Sequence, residues 1–316
     1  MKQIARYLHD YFQEQRSRAL FVAVSALLAV SFIVNYGILS ETTMLKRFAH
    51  PAEQFVFYCL FFGIPYCITL ALQAQANNAW HLFKESRFLF LTTFAIAIVA
   101  AYIMLHNTPM YLYTTFPSLF DWAPKAYHWY IVRYASNIAP GLALVPLLWY
   151  WYARDREGSR LYGFSSSNIN LKTYFTIIAL LAPLILAASY TADFQSAYPR
   201  YKFGLPQTDA ARQWMLIGGF ELCYGVDFIF VEFLFRGFMV MAMGRYLKTD
   251  AILPMVVVYA FIHFQKPIGE ALSSILGGLV LGVISYRTKS IYGGIILHLG
   301  VAYMMEIAGG VQRSIG

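Results

Sequence analysis

Glu232 and Arg236 stand four residues apart in Val231-Glu232-Phe233-Leu234-Phe235-Arg236-Gly237, inside a stretch that is otherwise apolar. On an α-helix this spacing puts a carboxylate and a guanidinium on one face, where they can pair. Each charge placed in hydrocarbon costs about 2.5–3.5 kcal/mol on insertion scales, so such groups normally face a protein interior and mark a functional site. Two later apolar runs carry one histidine each: His263 in Tyr259-Ala260-Phe261-Ile262-His263-Phe264, and His298 in Gly293-Gly294-Ile295-Ile296-Leu297-His298. Upstream, Asp227 lies one helical turn before Val231, and Glu221 shares the face of Glu232 on a straight helix. Carboxylates in unlike surroundings, with imidazoles nearby, suit the division of labour between general acid and general base.

Other readings of the same residues compete with that one. Glu232 and Arg236 also fit a buried pair that only holds helices together, and a single histidine on an apolar face is usually a satisfied core residue. Glu232, His263 and His298 have the composition of a two-histidine, one-carboxylate metal site, although no cofactor is expected. Glu306, eight residues after His298, either orients that imidazole or marks the membrane boundary. There is no HExxH zinc motif and no GxSxG serine elbow. Tyr224-Gly225-Val226-Asp227 lacks the second aspartate motif that an aspartyl intramembrane pair needs, and Ser273 and Ser274 have no base nearby in sequence. Gly278-Leu279-Val280-Leu281-Gly282 reads as a helix-packing seam, and Gly237 as a close-approach position.

The elements that position these residues are membrane helices. Only 13% of the 316 residues are charged, against about 25% in soluble domains, and 59% are hydrophobic. The expected fold is all-α, a polytopic transmembrane bundle with about eight or nine membrane segments. Candidates are 19–39, 54–75, 88–106, 136–153, 173–192, 214–241, 251–264, 269–286 and 291–309, since a span needs about 20 apolar residues. Segment 251–264 is short and reads as tilted or re-entrant, shielded by its neighbours. Gly218, Gly219 and Gly225 are candidates to kink the first half of 214–241. Residues 1–18 form a leader, either an amphipathic surface helix with Ile4, Tyr7, Leu8, Tyr11 and Phe12 on one side or a plain cytoplasmic segment. Residues 19–212 supply the N-terminal helices and loops and 213–316 the core helices, all in one membrane domain.

The net charge of +8 does not call for nucleic acid. The basic residues sit in short loops, such as Arg154, Arg156, Arg160 and Lys172, where they orient the chain and meet anionic headgroups. That bias places the N-terminus in the cytoplasm, in what is expected to be the plasma membrane. Tyr111, Tyr113, Phe116, Phe120, Trp122, Trp129 and Tyr130 make the 107–135 connection an interfacial anchor, and 193–212, with Tyr198-Pro199-Arg200-Tyr201 and Leu205-Pro206, a polar connector. Cys59, Cys67 and Cys223 lie in apolar runs without metal spacing and read as buried thiols.

The Glu232/Arg236, His263 and His298 segments together resemble the CAAX protease and bacteriocin-processing family of intramembrane glutamic proteases, which includes the CAAX prenyl endopeptidases. The family pattern is EExxxR, then FxxxH, then HxxxN, each on its own helix. Val231 to Gly237 matches the first, Tyr259 to His263 the second with Tyr for Phe, and His298 to Ala302 the third without its asparagine. The resemblance covers roughly residues 214–309 and implies an intramembrane peptidase. Glu232, Arg236, His263 and His298 carry over by position. The first, water-activating glutamate does not, because Val231 stands there, and Ala302 stands where the asparagine belongs.

Under this reading Glu232 or Asp227 holds the attacking water, His263 assists it, His298 stabilises the oxyanion and Arg236 fixes Glu232. The substrate is a hydrophobic or lipid-modified peptide met in the lipid bilayer. The competing reading is a degenerate relative that binds peptides or partner helices for immunity or regulation without cutting them. A proton-relay transporter is a third reading, and the lack of an internal repeat counts against it.

Overall fold

The structure, a computed structural model, describes residues 2–15, 17–105, 109, 112, 115–120, 125–155, 160–166, 169–201 and 210–315, and every regular element among them is helical. Six helices are long and apolar enough to cross a membrane: Arg18–Ile38, Pro51–Asn77, Ser86–Leu105, Leu171–Ala188, Ile268–Thr288 and Tyr292–Ile315. They coincide with six of the nine expected segments, and the protein is an all-α, polytopic integral membrane protein.

The other three segments differ for separate reasons. Segment 136–153 is the continuous helix Ile138–Asp155, with Pro146 inside it. Segment 214–241 divides into an α-helix, Ala210–Glu232, and a π-helix, Phe233–Ala242. The α-helical part runs unbroken, so Gly218, Gly219 and Gly225 do not break it. Two of them instead admit neighbours: a Cβ at Gly219 would meet the Tyr127 hydroxyl at 2.6 Å, and one at Gly225 the Tyr303 hydroxyl. The irregular winding falls after Glu232, where the fold needs it. Segment 251–264 contains a ten-residue helix, Ile252–Phe261, about 15 Å long and too short to cross.

Two units make up the chain, the first from Met1–Ile103, Leu148–Ile169 and Phe233–Gly294, the second from Met104–Leu147, Asn170–Glu232 and Ile295–Gly316. Within the first, α1 (Lys2–Glu14) leads to α2 (Arg18–Ile33), which continues as a π-helical turn over Val34–Ile38. Then come α3 (Glu41–Leu45), α4 (Pro51–Asn77) and α5 (Ser86–Leu105). Local chemistry fixes their starts. Ser17 and Ser40 accept backbone N–H bonds from Leu20 and Thr43, and the α4 entry is a capping box in which His50 Nδ1 accepts from the Ala52 N–H and Glu53 accepts from the His50 N–H. The ten-residue helix is buried along its whole length, packed against α4, the π-helix and Ile268–Thr288. A helix apolar on every side is stable only when so enclosed.

The Gly278/Gly282 seam brings Ile268–Thr288 onto that short helix. A Cβ at Gly282 would lie 2.8 Å from Met255, and one at Gly278 3.1 Å from the ring of Tyr259. Gly237 is likewise a close-approach position, since its Cβ would sit 2.9 Å from the Tyr162 carbonyl oxygen. The N-terminal leader is a helix docked on the protein. Tyr11 is fully buried, Glu14 pairs with Arg287 at 2.7 Å, and of the expected apolar side Phe12 alone is largely exposed.

In the second unit Lys125–Ser136 packs against Ala210–Glu232. Tyr127 and Tyr134 are buried in a cluster with Leu216, Phe220, Tyr224 and Ala302, and Tyr130 packs on it. Of the residues expected to anchor in the headgroups, Tyr130 packs on this cluster and Phe116 is exposed. The connector after Leu171–Ala188 is also less open than its polarity suggests. It holds a short helix, Ala192–Ala197, and Phe194 and Tyr198 are buried. Tyr111, Tyr113, Trp122, Arg156 and Leu205-Pro206 lie outside the described residues.

Cys67 is exposed, and Cys59 and Cys223 are only half-buried, so the thiols are not core groups. The physical reason is that a lipid-facing surface is as apolar as a core, so hydrophobicity does not distinguish inside from outside. Leu171–Ala188 makes the same point: it is apolar throughout, yet only 6% of its most apolar window is buried.

Candidate active site

Glu232 is the last α-helical residue before the π-helix and is fully buried. Its Oε1 lies 2.9 Å from Nδ1 of His298, which projects from Tyr292–Ile315 and keeps 16% side-chain exposure. Phe228, one turn before Glu232, places its ring 4.3 Å from the imidazole, closing one side of the pair with an apolar wall. The carboxylate and the imidazole, 66 residues apart in sequence, thus form one hydrogen-bonded pair in the second unit. Because a carboxylate oxygen only accepts, an ionised Glu232 fixes the proton on Nδ1 and aims Nε2 away from the pair.

Asp227, also buried, is held separately: Asn137, itself fully buried, donates from Nδ2 to Asp227 Oδ1 at 3.0 Å. Asn137 lies between Lys125–Ser136 and Ile138–Asp155, and sequence reading passed over it. An asparagine set in an apolar run was the available signal. Glu306 is engaged by the chain's backbone. Both its oxygens accept from the backbone N–H of Arg200, at 3.0 and 2.8 Å, so it fixes the connector after Ala192–Ala197. Val231 is buried, and Ala302 lies in the aromatic cluster with Tyr134, Phe220 and Tyr224, where an asparagine amide would replace apolar contact.

In the first unit Arg236 is fully buried, with its guanidinium carbon 4.3 Å from the Tyr259 ring centroid. Arginine stacks on an aromatic face more readily than lysine would, and desolvation strengthens the attraction. Phe235 meets the same ring edge-on at 5.1 Å, and Gly278 leaves the room it needs. His263 packs its imidazole 4.7 Å from Tyr259 and places Nδ1 2.7 Å from the Tyr259 carbonyl oxygen. That carbonyl belongs to the last turn of the short helix, where backbone acceptors lack intrahelical partners. A carbonyl only accepts, so Nδ1 carries the proton and Nε2 is the basic atom. Tyr259 thus seats Arg236 and sets the tautomer of His263, a role its place in the sequence motif did not reveal.

Among the described residues no group of three or more His, Cys, Asp and Glu is gathered closely enough to hold a metal ion. Each unit by itself holds groups suited to acid–base chemistry: the Glu232–His298 pair in the second, and the Arg236–Tyr259–His263 group in the first.

Residues 214–304 match the family model described as type II CAAX prenyl endopeptidase Rce1-like. No curated protein and no solved structure matches the chain. The matched segment contains Glu232, Arg236, His263 and His298.

Proposed function

We propose that this integral membrane protein, Rce1-like over residues 214–304, is an intramembrane peptidase that hydrolyses a hydrophobic or lipid-modified peptide. The observation that carries the reading is the 2.9 Å contact between His298 Nδ1 and the buried Glu232. A buried carboxylate held by an imidazole is a proton acceptor kept dry enough to be effective. Glu232 takes a proton from water as the water oxygen bonds to the scissile carbonyl carbon. The His298 contact spreads the charge of the carboxylate before that transfer and holds its geometry. The proton then passes to the leaving amide nitrogen as the carbon–nitrogen bond breaks, giving a carboxylic acid, which keeps the second proton of the water, and an amine. Asp227, fixed by Asn137, is the second carboxylate available to this chemistry. His263, with its basic Nε2, supplies a further acid–base group, and Arg236 is a structural cation on Tyr259.

One observation favours a second reading. The two positions that depart from the family pattern, Val231 and Ala302, are both buried apolar residues, Ala302 within the aromatic cluster, as expected of a protein that captures peptides without cutting them. A single experiment separates the two. The purified protein in detergent is given a farnesylated peptide with a Cys-aliphatic-aliphatic-X terminus in water enriched in oxygen-18. The peptidase reading predicts a shortened peptide whose new carboxyl group carries one heavy oxygen. Intact peptide retained on the protein would favour the binding reading.

A further inference from the structure

We propose that Glu41 is a positioning residue for His263, acting through Gln265 and the backbone of the loop that follows the short helix. The inference rests on the peptidase reading for His263, and it extends the working site to helices far outside residues 214–304. The loop 263–266 is fastened by the end of α2 and the start of α3. Asn35 donates from Nδ2 to the Phe264 carbonyl at 3.0 Å, and the Tyr36 hydroxyl reaches the carbonyls of His263 at 3.3 Å and Lys266 at 2.8 Å. Glu41 closes the circuit from both ends. Its backbone N–H donates to Asn35 Oδ1 at 2.8 Å, while its Oε1 accepts from Gln265 Nε2 at 2.8 Å. Phe32 seals the loop by meeting Phe264 edge-on at 4.9 Å.

Glu41 is 2% exposed, an unusual state for a carboxyl beside an exposed loop, and one that costs free energy unless it is bonded. The π-helical turn at Val34–Ile38 lies at this point, and such turns often mark functional positions. The loop carbonyls are those that follow a helix C-terminus and lack intrahelical donors, so Asn35 and Tyr36 supply what the helix cannot. Freed from these bonds, residue 263 would lose the backbone register that lets its Nδ1 reach the Tyr259 carbonyl.

Burial pushes the Glu41 carboxyl up to about 7, and the bonds from Gln265 and Tyr58 act in the opposite direction. Tyr58 on α4 and Gln265 on the loop are the groups that face it, while the loop's own charges, Lys266 and Glu270, pair with each other at 2.8 Å. A carboxyl raised from 4.5 to about 7 binds more protons folded than unfolded between those values, so its contribution is full below 4.5 and is lost as pH rises through about 7.

The test uses the full chain in detergent, with the farnesylated peptide as substrate. Three quantities are read: amide hydrogen exchange over 262–267, the imidazole NMR signals of His263, and kcat with KM. Glu41→Ala, read below pH 7, should speed exchange up to about tenfold, the upper scale of one lost neutral hydrogen bond. It should shift the His263 signals and lower kcat about tenfold or more with KM little changed, and Glu41→Gln, which keeps the acceptor, should recover most of the loss. Corrected for intrinsic exchange, protection in the wild type should fall as pH passes 7 and stay level in Glu41→Gln. If Glu41→Ala does not fold, Gln265→Ala, altered from the exposed side, gives the same readings. Unchanged His263 signals, or a loosened loop with unchanged kcat, would overturn the proposal. A wild type that cuts nothing would defeat the peptidase reading instead, and the His263 signals would still decide whether Glu41 positions the ring.

Discussion

Glu232→Gln is expected to lower kcat for the farnesylated peptide by about 10²–10⁴-fold, the usual share of a general base, with KM nearly unchanged. Glutamine has the same shape and keeps a carbonyl oxygen to accept from His298 Nδ1, so the 2.9 Å contact survives while the basic oxygen is lost. The choice of variant matters. Glu232 is fully buried, and truncating it to alanine would leave His298 facing a cavity, a break that in buried pairs costs about 3–5 kcal/mol. The glutamine variant should therefore melt close to the wild type by circular dichroism in detergent, while cleavage, followed by mass spectrometry, collapses. A large loss of both would mean that Glu232 serves the fold.

His263→Ala is expected to cost a similar factor, about 10²–10⁴-fold in kcat, for a different reason. The side chain is only half-buried, so its loss leaves a small space rather than an unpaired charge, and stability should change little. Its Nδ1 is committed to the Tyr259 carbonyl at 2.7 Å, which makes Nε2 the working atom. Free imidazole added to the assay should restore part of the activity of this variant, because it replaces a proton acceptor. It should do nothing for Glu232→Gln. Undiminished cleavage by His263→Ala would remove His263 from the chemistry.

The membrane helices were legible because their signal is bulk composition: long apolar runs with charges confined to loops. Glu232, Arg236, His263 and His298 stood out because charged and imidazole groups in such runs are costly and therefore rare. Their partners were not legible. Spacing along a helix offers Glu232 neighbours three and four residues away, but it cannot show that His298, on another helix 66 residues on, also bonds it. Tyr259 looked like a conservative replacement in a motif, yet it carries Arg236 and fixes His263. The glycines of 214–241 suggested a bend before Glu232, whereas the helix changes its winding after it, where no glycine pair marks the place. Side-chain packing also stayed hidden wherever lipid and core are equally apolar, as at Cys67 and on the tyrosines of Lys125–Ser136.

The most direct test of the account is a double-mutant cycle in kcat between Glu232→Gln and His298→Ala. If the carboxylate and imidazole share one proton and act as a unit, the double variant should be no slower than the worse single variant, since a broken pair has little left to lose. Losses that multiply across the cycle, or single variants that cut as fast as the wild type, would contradict it.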